Sequence, residues 1–239
     1  MREVNAAGGK ILDFVALLRT AGSGTNRCMG SDREVDALAK SILTACRRCR
    51  GLTVLVGIDE PRELGLYREG EDFSPPYHLV LRADFPDWSS IGQATDLASR
   101  AGGYDVAHVF EVEETAVKVA PAQRVGGRRP GVHMMHPLFF HDDLPRSALL
   151  RSWRQIHADL AVKVHVGAET YIQYLVLRRS DDAPAYGGFS DFQFPSREAL
   201  LSGYFDSERG RAEIRHDIRH FIRGLQPRLF ATLYQYERT

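Results

Sequence analysis

Hydrophobic positions along the chain follow two periods, and the periods alternate. Between Arg146 and Val164, Leu150, Trp153, His157, Leu160 and Val164 recur at three- and four-residue steps. That is the apolar stripe of an amphipathic helix, with a histidine at its centre. A strand is predicted directly after it, Tyr171 to Leu177. Upstream, Lys10 to Arg19 reads as a strand, followed by a glycine-rich connection, Ala21 to Gly30. Ser31 and Glu34 form a capping box for a helix running to about Arg50, with Val35, Leu38, Ala39, Ile42, Ala45 and Cys49 inward and Gly51 as its stop. Leu52 to Ile58 and Tyr77 to Phe85 are strands, separated by a long polar connection at 59–76 of the kind that can act as a lid. Ser89 or Ser90 opens a short helix ending at Gly102 and Gly103, and a fourth strand lies within 104–119.

The same order then repeats. Ala120 to Gly131, rich in Pro, Gly and Arg, has no periodicity and reads as a linker. A strand at Val132 to His141 precedes the helix and strand already described. Another strand follows near Phe189 to Phe194, then a short helix from Ser196, a longer one from Glu208 to Gly224, and a last strand from Leu229 to Tyr236. The division is therefore 1–120, a linker at 121–130, and 131–239. Each half reads βαββαβ, a sheet with helices on one face. A bare second face on each sheet would be a large exposed apolar surface. Aromatics on both faces of the second sheet predict that the two sheets pack together, giving a pseudo-symmetric barrel wrapped in helices, of α+β class.

Polar residues inside apolar stripes are the candidates for chemistry. His157 needs partners for its ring nitrogens if it is buried. Asp217 lies three residues after Ile214 and four before Phe221, on or beside the inner face of the last helix. Both helices cover one sheet face, so His157 and Asp217 are expected to be neighbours. A carboxylate beside an imidazole orients it and favours its charged form, which suits a general base or proton shuttle. The pair could equally be a buried tether between helices. Asp191 and Gln193 share one face of their strand; Asp191 joins this pocket if that face meets the helices, and contacts the other repeat if it does not.

Composition narrows the classes. The chain has 239 residues, with 31 Lys plus Arg against 31 Asp plus Glu, so bulk charge does not point to nucleic acid. Neither a membrane span nor a signal pattern is evident, and a cytoplasmic location is expected. Cys28, Cys46 and Cys49 read as ordinary thiols rather than a disulfide framework or metal site. His216 and His220 have metal-pair spacing, but sit among Arg211, Arg215 and Arg219, a poor setting for a cation. His133 and His141 share strand parity and His136 points the other way; His165 reads as a helix C-terminal cap. No phosphate loop, dinucleotide fingerprint, nucleophile elbow or kinase signature is present.

Three motifs carry a resemblance. Trp153-x-x-x-His157-Ala-Asp-Leu with Tyr171-Ile-Gln-Tyr, the stretch Ala185 to Leu200 containing Asp191, and Asp217 with Phe221 are similar to EthD-type proteins over roughly Gly131 to Arg238. The resemblance implies the dimeric α+β barrel, here with two ferredoxin-like repeats in one chain. It implies an enzyme working without metal or organic cofactor: an isomerase, cyclase or dehydratase acting on a small apolar carbonyl or aromatic compound. His157 would be acid or base, with Asp217 and Asp191 as polar partners and Trp153, Tyr171, Tyr174, Phe192 and Phe221 around the substrate. A non-catalytic binding module is one alternative. A small monooxygenase or haem protein, both found in the wider fold group, is another. The expected state is a monomer with an internal pseudo-dimer, or a homodimer. Aligning Gly51 with Gly167 sets Ser41 opposite His157, so the first repeat lacks the histidine and reads as a structural partner. Gly187 stands where the family has an acidic residue.

Overall fold

The structure, a computed structural model, describes residues 12–19, 31–49, 51–58, 77–104, 106–120, 126–225 and 228–237. The glycine-rich connection at 21–30, Cys28 and the long connection at 59–76 lie outside them.

The first half contains β1 (Leu12–Arg19), α1 (Asp32–Ala45), β2 (Gly51–Gly57), β3 (Leu79–Phe85), α2 (Trp88–Gly102) and β4 (Val106–Lys118). The expected box closes α1: the Ser31 hydroxyl accepts from the Glu34 amide, and the Glu34 carboxylate accepts from the Ser31 amide. α2 begins earlier than expected, because Asp87 caps it by accepting from the Ser90 amide at 2.8 Å. A short β5 (Gly127–Arg128) follows. The second half then has β6 (Val132–Phe140), α3 (Arg146–Arg151), a π-helical turn (Ser152–His157), α4 (Ala158–Val164), β7 (Thr170–Arg179), β8 (Gly188–Phe194), α5 (Arg197–Gly203), α6 (Glu208–Ile218), β9 (Ile222–Leu225) and β10 (Leu229–Glu237).

All ten strands belong to one antiparallel sheet, ordered β5-β10-β2-β3-β1-β4-β7-β8-β6-β9, and a further β10–β6 pairing closes it. Each half keeps its strands adjacent, β2-β3-β1-β4 in the first and β7-β8-β6 with β9 and β10 both on β6 in the second. The halves join where β4 pairs with β7 and where β10 pairs with β2. Two ferredoxin-like repeats thus form one α+β barrel within a single chain, and closure satisfies strand edges that separate repeats would expose. The barrel interior is filled from both halves, by Val15, Leu17, Leu55, Val80, Phe110, Val112, Phe189 and Leu233 among others. On the outer face of the first repeat's sheet, Phe14, Leu38, Ile42, Phe85, Ile91 and Ala98 fill the space beneath α1 and α2.

Two expectations fail, for one reason: backbone groups at a sheet edge need partners. The last helix ends at Ile218 rather than Gly224. β10 covers β6 only at 133–135, and Ile222–Leu225 leaves helical geometry to pair with β6 at 138–140. Likewise, part of the expected linker is sheet. Gly127 and Arg128 pair with Gln235 and Tyr234, and the Arg129 amide donates to the Leu233 carbonyl at 2.7 Å. No helix among the described residues is long and apolar enough to cross a membrane.

Candidate functional site

The site is built from the helix that carries His157. Its buried positions are Leu149, Trp153, His157, Ala158, Ala161 and Val164. Leu149, Trp153, His157 and Ala161 keep an even four-residue step, wider than the 3.6 of an α-helix, and the wide turn at Ser152–His157 absorbs the difference. The Gln173 side chain, reaching across from β7, donates to the Trp153 carbonyl at 3.0 Å. His157 therefore faces inward on a helix whose irregular turn is fastened to the sheet.

Asp217, in the last turn of α6, meets it. His157 Nδ1 lies 2.8 Å from Asp217 Oδ2, and both side chains are largely buried. A carboxylate accepts, so Nδ1 carries the proton and donates. Nε2 is the ring nitrogen left without a hydrogen-bond partner among the described residues, on a residue that lines the cavity. The expected neighbourhood of these two residues is what the structure displays.

Beside them, between the second repeat's helices and its sheet, is a cavity of about 460 Å³. That lies within the usual range for small-molecule sites. His157, Trp153, Phe192, Phe221, Ile214 and Ile218 give it aromatic and aliphatic walls. The Phe221 ring packs on His157 at 5.2 Å. His136, Leu138 and Ser190 contribute from the sheet, and His165, Tyr204, Phe205, Arg211, Arg215 and Arg228 from the segments around it.

His165 is the second imidazole there. Its Nδ1 hydrogen-bonds the Tyr204 carbonyl and its ring stacks on Tyr204 at 4.8 Å. A carbonyl only accepts, so Nε2 holds the lone pair. Burial lowers the His165 pKa to about 4, and nearby His157 and Arg228 push it the same way against the Tyr204 carbonyl. His165 therefore stays neutral at ordinary pH. The approach of the two segments depends on missing side chains: a Cβ on Gly203 would sit 2.6 Å from Gly167 Cα. The Gly167 amide donates to the Gly203 carbonyl at 2.8 Å.

Not every sequence candidate reaches this cavity. Asp191 does not. Strand alternation turns Phe189, Asp191 and Gln193 into the barrel and Ser190, Phe192 and Phe194 toward the helices. Asp191 pairs with Arg82 of the first repeat and lies 3.3 Å from His133 Nδ1. Burial opposes its ionisation, but Arg82 and His133 outweigh that and hold its pKa below the ordinary carboxylate value. Asp191 is thus the inter-repeat contact, not a partner of His157. Tyr174 also faces the interior, with the Arg82 guanidinium 5.3 Å from its ring centre. Tyr171 is on the helix side but one layer back, stacked beneath Phe192 at 4.2 Å. Trp153, Phe192 and Phe221 line the cavity.

Sequence reasoning gave no cavity role to His136, His165, Arg211, Arg215 or Arg228, although His165 does sit at the helix C-cap as expected. For three of them a pattern was present. His165 continues the four-residue step of His157 and Ala161. Arg211, Arg215 and Ile218 lie at steps of four and three along α6. His216 and His220 stay outside the cavity, and no group of three or more His, Cys, Asp or Glu side chains among the described residues could hold a metal ion.

The architecture is that of the dimeric α+β barrel group, and solved structures agree. An anthrone oxidase-like protein matches with a TM-score of 0.54 and 11% identity, covering 97% of this chain and 94% of that one. A candidate chlorite dismutase matches at 0.55 and 12%, covering 94% and 95%. The chlorite dismutase of Candidatus Nitrospira defluvii, in complex with imidazole, matches at 0.54 and 11%, covering 94% and 91%. At such identities the likeness is one of fold. No protein-family model and no curated protein matches the sequence.

Proposed function

We propose that the chain is an enzyme that moves a proton on a small, flat, apolar carbonyl compound held in the second repeat's cavity. The observation carrying this is the His157–Asp217 pair, with Nδ1 committed to the carboxylate and Nε2 without a hydrogen-bond partner among the described residues, on a residue that lines an aromatic-walled space. Nε2 takes a proton from carbon next to the carbonyl. The C–H bond pair becomes the enolate, and the proton returns from the imidazolium to another atom of the same molecule. Isomerisation, ring closure or loss of water follows, according to where it returns. Asp217 holds the tautomer and offsets the imidazolium charge. The EthD-like motifs belong to this reading, and so does the anthrone oxidase-like neighbour, since an anthrone is a flat aromatic ketone with an acidic ring C–H.

The test is hydrogen–deuterium exchange of anthrone and β-tetralone in heavy water, followed by NMR. The protein should accelerate exchange, and His157→Ala should lose about 10²–10⁴-fold while keeping its circular dichroism spectrum. A wild-type rate equal to buffer would overturn the proposal.

A second reading has its own support. An imidazole whose Nδ1–H is held by a carboxylate is also a typical axial haem ligand, and chlorite dismutases are among the neighbours. The donor set fits: His157 would be the ligand, the cavity aromatics would face the macrocycle, and Arg211, Arg215 and Arg228 would meet its carboxylates. Bound haem would supply redox chemistry. Titration with haemin distinguishes the readings, because a Soret band that shifts on binding and is lost in His157→Ala would favour haem.

A further inference from the structure

The charge around the cavity is lopsided. Three guanidinium groups, from Arg211, Arg215 and Arg228, line it, and Glu208 is the one carboxylate on its wall among the described residues. Glu208 is already engaged, with its Oε1 3.3 Å from Arg211 Nη1. Asp217 stands behind His157 and is not part of the wall. Arg215 and Arg228 have no carboxylate partner among the described residues. Arg228 is partly buried, its guanidinium 5.2 Å from the Tyr204 ring centre. Arg215 is exposed and Arg228 half-buried, so both charges are open to a ligand, and the neighbouring Arg211 Nε is buried with no hydrogen-bond partner among the described residues. The planar guanidinium fork matches a carboxylate better than any neutral group. His165, stacked on the other side of this corner, adds no negative charge.

We infer that the ligand of this cavity is an anion: a flat apolar molecule whose carboxylate is bound by Arg215 and Arg228 while its rings lie toward His157 and Phe221. This rests on the cavity being the substrate site and names the substrate class. It also orients the molecule, with the charged end at the arginines and the carbon end at Nε2 of His157.

Calorimetric titration with naphthoate and with naphthamide, its uncharged isostere, tests this. Naphthoate should bind at least about tenfold more tightly, as expected for charge-assisted hydrogen bonds. The preference should shrink as salt is raised. Arg228→Gln and Arg215→Gln should each reduce it, and the double variant should abolish it. Arg209→Gln should leave it intact, because Arg209 is exposed on α6, paired with Glu213 and outside the cavity. His157→Ala separates this inference from the proposed chemistry: an inactive variant that still prefers naphthoate supports the anion site whatever the fate of the base. Equal affinity for the two compounds, or no binding of naphthoate to the wild type, would overturn it.

Discussion

Two of the three imidazoles that line the cavity, His157 and His165, are distinguished by the atom each Nδ1 faces. His157 Nδ1 faces the Asp217 carboxylate, whereas His165 Nδ1 faces the Tyr204 carbonyl within a buried aromatic stack, and that burial holds His165 neutral. That difference suits His157 to proton transfer and leaves His165 as a fixed acceptor. It also fixes a pH dependence. An unfolded histidine titrates near 6.5 and His165 near 4, so the unfolded chain takes up the proton first as pH falls. The stability contribution is full above pH 6.5 and is lost as pH falls toward 4, by about 3 kcal/mol. Urea titrations across this window should show wild type losing that much relative to His165→Gln, whose amide can still donate to the Tyr204 carbonyl.

At the scale of the element, the π turn decides where the histidine points. It widens the helix just before His157, and Gln173 ties the Trp153 carbonyl to the sheet. Gln173→Leu leaves that buried carbonyl without this donor. The expected cost is about 1–3 kcal/mol of stability, read by urea unfolding, together with slower exchange on the ketone probes because His157 is no longer held in place. The Gly167–Gly203 contact works similarly at the other end of α4. Gly203→Val should force the segments apart, lower the melting temperature and weaken ligand binding, at an overpacking cost of about 1–3 kcal/mol.

At the scale of the whole molecule, the two repeats divide the work. Apolar side chains pack under the first repeat's helices, and the cavity that holds His157 lies under the second repeat's. Between the repeats, Arg82 and Asp191 form a buried ion pair across the barrel interior. Arg82→Met should cost about 3–5 kcal/mol because it strands a buried carboxylate, and adding Asp191→Asn should recover much of that. Asp191→Asn alone should lower stability with little effect on exchange kinetics, whereas Asp217→Asn should slow exchange strongly. The contrast between these two aspartates checks which of them serves the chemistry.

The amino-acid order alone determined the repeated βαββαβ pattern, the capping box at Ser31, the inward-facing His157 and its meeting with Asp217. These follow from local rules: side-chain period, cap chemistry, and the need to bury one face of each element. Tertiary structure decided the matters that depend on remote partners. Alternation placed Asp191 and Gln193 on the same side as one another, but only barrel closure made that side the interior, opposite Arg82. Residues 222–225 are helix-compatible by pattern and became strand because the edge of β6 needed a partner there. The arginines of α6 read as a basic setting for His216 and His220, and only the fold brings Arg211 and Arg215 to one cavity with Tyr204 and Arg228 from other parts of the chain. Periodicity reports which way a side chain points; what it meets there is set by segments far away in sequence.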